Sequence, residues 1–131
     1  MISTKETFTS WGAYGTTYAH NTADGWKNVQ TMKDNGYFSQ SPACVWCENY
    51  GTDDWYLPAT EELRTIYNKK STINSTLQAN NFTPLGTGNY WSSTEFTKQT
   101  SYVSYVDFSD GDYNYGYSKS EVLGVRAILA F

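Results

Sequence analysis

Residues 89–131 read NYWSSTEFTKQTSYVSYVDFSDGDYNYGYSKSEVLGVRAILAF, and their pattern decides the fold. Side chains alternate in character with a period of two, the signature of extended strands rather than helices. Turn residues divide the stretch into four segments, 89–95, 102–109, 112–118 and 122–131, with Asp110-Gly111 as a hairpin dipeptide. The last segment sets Val125, Ala127, Leu129 and Phe131 against Gly124, Arg126, Ile128 and Ala130. Apolar on nearly both sides, it is expected to be a central strand. Residues around Thr9 and Trp11 are expected to pair beside it.

Working outward, the preceding half carries helical signals. Ser41 is a good N-cap and Pro42 suits the first helical position, with Ala43, Val45, Trp46, Cys47 and Tyr50 on the apolar side. Trp55-Tyr56-Leu57-Pro58 reads as a short extended run, because Pro58 keeps Leu57 out of helix. Thr60 is expected to cap a second helix, with Glu61 and Glu62 at its positive end and Leu63, Ile66 and Tyr67 on one side. Ser71 restarts a short turn of helix with Ile73 and Leu77. The first 40 residues read as an edge strand and loops, with at most a helical turn over 26–33. Two helices packed on antiparallel strands make an α+β fold, and 131 residues make one domain spanning 1–131.

Composition narrows the function. A net charge of −4 argues against nucleic acid, which needs a basic face. Only Lys69-Lys70 are adjacent bases, and no apolar run approaches the roughly 20 residues of a membrane helix, so no membrane insertion is expected. No secretory signal follows Met1. Cys44 and Cys47 are the only cysteines, and with a single histidine, His20, a zinc site lacks ligands. The two thiols are expected to be small buried groups, and His20 a solvated loop residue. One histidine cannot form a nucleophile–base–orienter set, and Gly86-Thr87-Gly88 lacks the lysine and helix of a phosphate loop. Turn and capping roles account for Asp53/Asp54, Glu61/Glu62 and Asp107/Asp110/Asp112. The expectation is a chain that is not an enzyme, with no catalytic residue, metal or cofactor.

The strongest positive signal is tyrosine. Between Ser101 and Ser120, five Tyr, five Ser, three Asp, two Gly and one Asn fill 16 of 20 positions. This is the alphabet of paratopes, in which Tyr supplies rigid amphipathic area and Ser, Gly and Asn adaptable hydrogen bonds. Tyr113, Tyr115 and Tyr117 alternate, which in a regular strand places three rings on one face, expected to be exposed.

Three motifs in order carry a resemblance: Trp55-Tyr56-Leu57-Pro58-Ala59-Thr60-Glu61-Glu62-Leu63, Tyr90-Trp91-Ser92-Ser93-Thr94-Glu95 and Val125-Arg126-Ala127. From about Asp24 to Phe131 the chain resembles C-type lectin-like domains of bacteria and phages, including surface adhesins and the variable proteins of diversity-generating retroelements. The resemblance implies a stable lectin-like scaffold with a hypervariable, ligand-binding region over about 96–120. Its implied binding residues are Phe96, Thr97, Tyr102, Ser104, Asp107, Ser109, Asp112, Tyr113, Asn114, Tyr115, Gly116, Tyr117 and Ser118. Lys119 and Glu121 fall outside the set of residues such diversification produces. The implied partner is a protein ligand on a host or target cell surface. The implied location is extracellular, on a cell or virion surface, as part of or excised from a larger protein. An undiversified adhesin that stacks Trp and Tyr on glycans remains the alternative. The same superfold includes formylglycine-generating enzymes, but their cysteine pair lies near the C-terminus, where this chain has none. The calcium-binding tripeptides of sugar-binding lectins are also missing.

Overall fold

The computed structural model describes residues 1–130, with Gly116 described by its backbone alone; Phe131, placed in the expected terminal strand, lies outside the described residues. Along the chain run β1 (Thr7–Ser10), α1 (Gly25–Asp34), a 3-10 turn (Phe38–Gln40), α2 (Pro42–Glu48), α3 (Thr60–Asn68), α4 (Lys70–Ala79), β2 (Asn89–Glu95), β3 (Tyr102–Asp107), β4 (Tyr113–Ser118) and β5 (Val122–Val125). The five strands form one sheet in the order β1-β5-β2-β3-β4. All neighbours are antiparallel except β2 and β5, which are parallel. The α+β class is as expected, and β5 is internal, with β1 beside it as Thr9 faces Leu123.

Helices cover both faces of the sheet. On one face α1 and α2 bring Val29, Met32, Ala43, Cys44 and Cys47 against Trp91, Val103 and Val125. On the other, Leu63 of α3 meets Leu85, Tyr90, Val106 and Phe108. Adjacent residues Tyr90 and Trp91 therefore enter opposite cores, and β2 is buried from Tyr90 to Glu95. No helix among the described residues is long and apolar enough to cross a membrane.

Three helices differ from the sequence reading. The turn expected over 26–33 is a ten-residue helix. Asp24 caps it, accepting from the Lys27 N–H at 3.2 Å, and Gly25 opens it because a Cβ there would lie 2.4 Å from the Leu57 carbonyl. The turn at Ser71 is likewise ten residues of helix. Ala59, not Thr60, is the N-cap of α3, and the Glu62 carboxylate accepts from its N–H at 3.0 Å. Freed from capping, the Thr60 hydroxyl bonds Ser104 of β3 and ties helix to sheet.

The terminal strand is shorter than the expected 122–131. It ends at Val125, and Ile128 returns only as a bridge to Ile2 and Tyr56. Val122 at its start is exposed, and the strand ends just before the buried Arg126. The Arg126 guanidinium is buried and donates to Glu6 Oε1 at 2.9 Å and to the carbonyls of Ser3, Thr83 and Pro84. A buried guanidinium is tolerated when its fork of donors is matched in this way.

Buried polar groups explain the Trp91-Ser92-Ser93-Thr94 motif. The Trp91 indole N–H donates to the Thr9 carbonyl at 2.9 Å, and the Trp11 indole to the Ser92 carbonyl at 2.8 Å. Ser92 and Ser104 hydroxyls meet at 2.6 Å; Asn28 of α1 donates to Ser93 Oγ at 3.0 Å; Thr94 Oγ1 donates to the Asn21 carbonyl at 2.9 Å. Small hydroxyls let β2 join helices on both sides without leaving a buried donor orphaned.

Candidate ligand-binding face

Strand β4 is a sheet edge, bonded to β3 alone. Val106 faces Tyr113 and Tyr105 faces Asn114, but Val103 faces Tyr117, so two residues of β3 span three of β4. This is a bulge in β4, and it shifts the side-chain alternation by one. Tyr113 and Tyr115 lie on the α3 side of the sheet. There Phe96 stacks on Tyr115 at 4.3 Å, Tyr115 meets Tyr113 edge-on at 6.1 Å, and the Arg64 guanidinium lies 5.1 Å from the Tyr113 ring. Tyr117 turns to the opposite side and packs on Tyr105 at 4.9 Å. The three tyrosines do not share one face, which corrects the expectation from their alternation.

The exposed rings are Tyr113, at 46%, and Tyr117, at 36%. Tyr115 is half-buried on Phe96, and burial pushes its phenol up. Thr97, Ser109, Asp112 and Asn114 are exposed, while Phe96, Tyr102, Asp107 and Ser118 are half-buried. Asp107 accepts from the Ser109 N–H and hydroxyl at 2.9 and 2.7 Å, which holds its carboxyl below the usual range. Asp110 accepts from the Asp112 N–H at 2.9 Å, so this acidic pair shapes the turn. Ser104 does not join the face. It is fully buried between Thr60 and Ser92, since its position puts it under α3. Gly116 lies in β4 by its backbone, and its surroundings fall outside the described residues.

Lys119, which directly follows the tyrosine strand, is a buried anchor. Its ammonium donates to Glu95 Oε2 at 2.8 Å and to the Ala13 and Gly15 carbonyls at 3.1 and 2.8 Å, above the Trp11 ring. Glu95 also accepts from the Thr17 N–H and hydroxyl, at 3.0 and 2.8 Å. Burial pushes the Glu95 carboxyl up, but Lys119 and Thr17 together outweigh it and hold it below the ordinary glutamate value. Burial pushes Lys119 down, and Glu95 offsets part of that. His20 is not a solvated loop residue, as its Nε2 lies 3.1 Å from Glu95 Oε1.

This cluster pins the loop after Trp11, where Ala13 and Tyr18 have φ of 54° and 62°. Left-handed backbone at non-glycine residues persists only where the surroundings hold it. The pinned loop exposes Tyr14 and Tyr18, both 62%, beside the 96–101 turn, which it touches through Thr16 and Thr100. Sequence reasoning missed both rings, because neither sits in a period-two segment.

A family model described as the Lcl C-terminal domain matches residues 15–129. The chain belongs to that family. The Lcl C-terminal domain match reaches further toward the N-terminus than the three motifs did, into the loop that Lys119 pins. It bears out the resemblance to C-type lectin-like variable proteins, and it supports a ligand-binding, lectin-like domain. No curated protein sequence matches the chain. Among solved structures, a fimbrial protein from Bacteroides ovatus ATCC 8483 superposes with a TM-score of 0.75 at 16% identity, over 96% of this chain and 34% of that one. The chain thus spans about a third of that protein, and the likeness is one of fold.

Proposed function

We propose that this Lcl C-terminal domain is a receptor or adhesin module that uses the edge of its sheet to bind a protein ligand. The observation that carries the reading is the contrast between exposed Tyr113 and Tyr117 and the buried anchor that immediately follows them. Rigid aromatic rings beside small polar residues make contact area at low entropic cost, and a backbone fixed from behind tolerates exchange of those rings. The binding region is a ridge with rings on both sides of β4, comprising Phe96, Thr97, Tyr102, Asn114, Tyr115 and the exposed pair. In this reading the 96–118 segment is diversified on a fixed scaffold, the domain works at a cell or virion surface, and it performs no catalysis.

The test is tolerance. A display library randomised at Tyr102, Tyr113, Asn114, Tyr115 and Tyr117 stays largely resistant to protease. A matched library at Leu57, Leu63, Trp91, Ser104 and Val125 collapses, because each change opens a cavity or buries an unpaired polar group. Equal survival of the two libraries sinks the proposal.

A further inference from the structure

Away from the tyrosine ridge, residues from the start of α1, the 52–56 segment, α3 and the chain end enclose an open groove of about 840 Å³. None of its lining residues belongs to β3 or β4. One wall is the Trp26 indole, 37% exposed, which meets the Tyr56 ring edge-on at 6.0 Å. Four carboxylates line the groove, those of Asp24, Asp53, Asp54 and Glu62, with no lysine, arginine or histidine among the lining residues. None of the four forms an ion pair among the described residues.

The carboxylates are not equivalent. Glu62 is fixed in the wall, accepting from the Gly25 and Ala59 N–H groups at 2.7 and 3.0 Å and from the Tyr56 hydroxyl at 2.7 Å. Burial, with the Glu62 hydrogen bond second, pushes the Tyr56 phenol up, so that it remains a donor. Asp24 uses one oxygen to cap α1. Asp53 and Asp54 are exposed, and among the described residues their carboxylates accept no hydrogen bond that would occupy them. Structural hydrogen bonds thus occupy Glu62 and one oxygen of Asp24, whereas the exposed Asp53 and Asp54 of the bend keep their carboxylates free.

We propose that this groove binds an organic cation, a guanidinium or alkylammonium group. The cation lies against the Trp26 face, where the negative ring face attracts it, and Asp53 and Asp54 close over it from the rim. Trp26 is the preferred ring type for such contact, and a lining with acidic side chains and no basic one disfavours anions. The volume accommodates an arginine or lysine side chain together with flanking backbone. The site is independent of the tyrosine ridge, so either proposal can fail alone.

The experiment follows the Trp26 indole N–H signal of the 15N-labelled chain during titration at low salt. The probes are an acetylated, amidated tetra-arginine peptide, n-butylammonium chloride and a tetra-glutamine peptide. The expected result is a saturable shift of Trp26 with tetra-arginine, none with tetra-glutamine, and at least tenfold weaker binding to the Asp53→Asn/Asp54→Asn double variant. Those two side chains are exposed, so the variant keeps its fold. The Tyr117→Ala variant binds tetra-arginine like the parent chain. A matching shift with n-butylammonium shows that a small free amine suffices; a shift with the peptide alone assigns the groove to a basic segment of a protein. The proposal is overturned if neither cation shifts Trp26 saturably, if tetra-glutamine shifts it equally, or if the double variant binds tetra-arginine like the parent.

Discussion

Lys119 and Glu95 show how much one residue pair can organise. Each is almost wholly buried, and their 2.8 Å contact joins the β4–β5 turn to the end of β2. The same ammonium holds two carbonyls of the N-terminal loop. Removing one partner leaves a buried charge uncompensated, so Lys119→Met is expected to cost about 3–5 kcal/mol. Denaturant unfolding would measure it. The pair also predicts acid sensitivity. Because the folded chain holds the Glu95 proton less tightly than the unfolded chain does, unfolding takes up a proton below the ordinary glutamate pKa. The stabilisation is complete above that pKa and is lost as pH falls through the lower folded value. Unfolding midpoints measured from pH 6 to 3 should therefore fall more steeply for the parent chain than for Glu95→Gln. Parallel curves would refute this role.

At the scale of elements, β3 and β4 divide the tyrosine-rich stretch into buried and exposed halves that composition does not separate. Ser104 is packed between α3 and β2, with its hydroxyl shared by Thr60 and Ser92. Inserting a ring there overpacks a filled site, so Ser104→Tyr is expected to destabilise by about 1–3 kcal/mol. The reverse exchange on β4, Tyr113→Ser, removes an exposed ring and should stay within about 0.5 kcal/mol. Thermal melts of the two variants decide the matter, and similar losses would mean that Tyr113 supports the core. The bulge has a further effect at this scale. By sending Tyr117 to one side and Tyr113 and Tyr115 to the other, it puts aromatic rings on both sides of the edge strand.

For the whole molecule, the question is what holds a chain of modest apolar content together. Two aromatic-rich cores on opposite sides of one sheet do so, tied by Arg126 beneath the N-terminal segment and by the hydroxyls of Ser92, Ser93 and Thr94. The CxxC pair belongs to this packing. Both thiols are buried, Cys44 pushed up to about 12 by burial, so neither supplies a thiolate near neutral pH. Among the described residues no three of His, Cys, Asp and Glu converge on a metal position. The unfolding midpoint is accordingly expected to be the same with and without EDTA. A drop of several degrees would show metal linked to folding.

The sequence by itself determined the α+β class, the helix cap at Ser41-Pro42, the internal C-terminal strand and the tyrosine-rich region, because each rests on a local signal. Capping chemistry, period-two alternation and composition are all readable within a dozen residues. Tertiary structure decided the rest. The α1 helix depends on Gly25 fitting under the Leu57 carbonyl, a contact across 32 positions of the chain. Lys119, Glu95 and His20 look like surface polar residues until the fold brings their distant segments together. The division of the tyrosines between two sides follows from one extra residue in β4. The alternation of Tyr113, Tyr115 and Tyr117 carries no sign of the bulge, which shows only when β4 is set in register against β3.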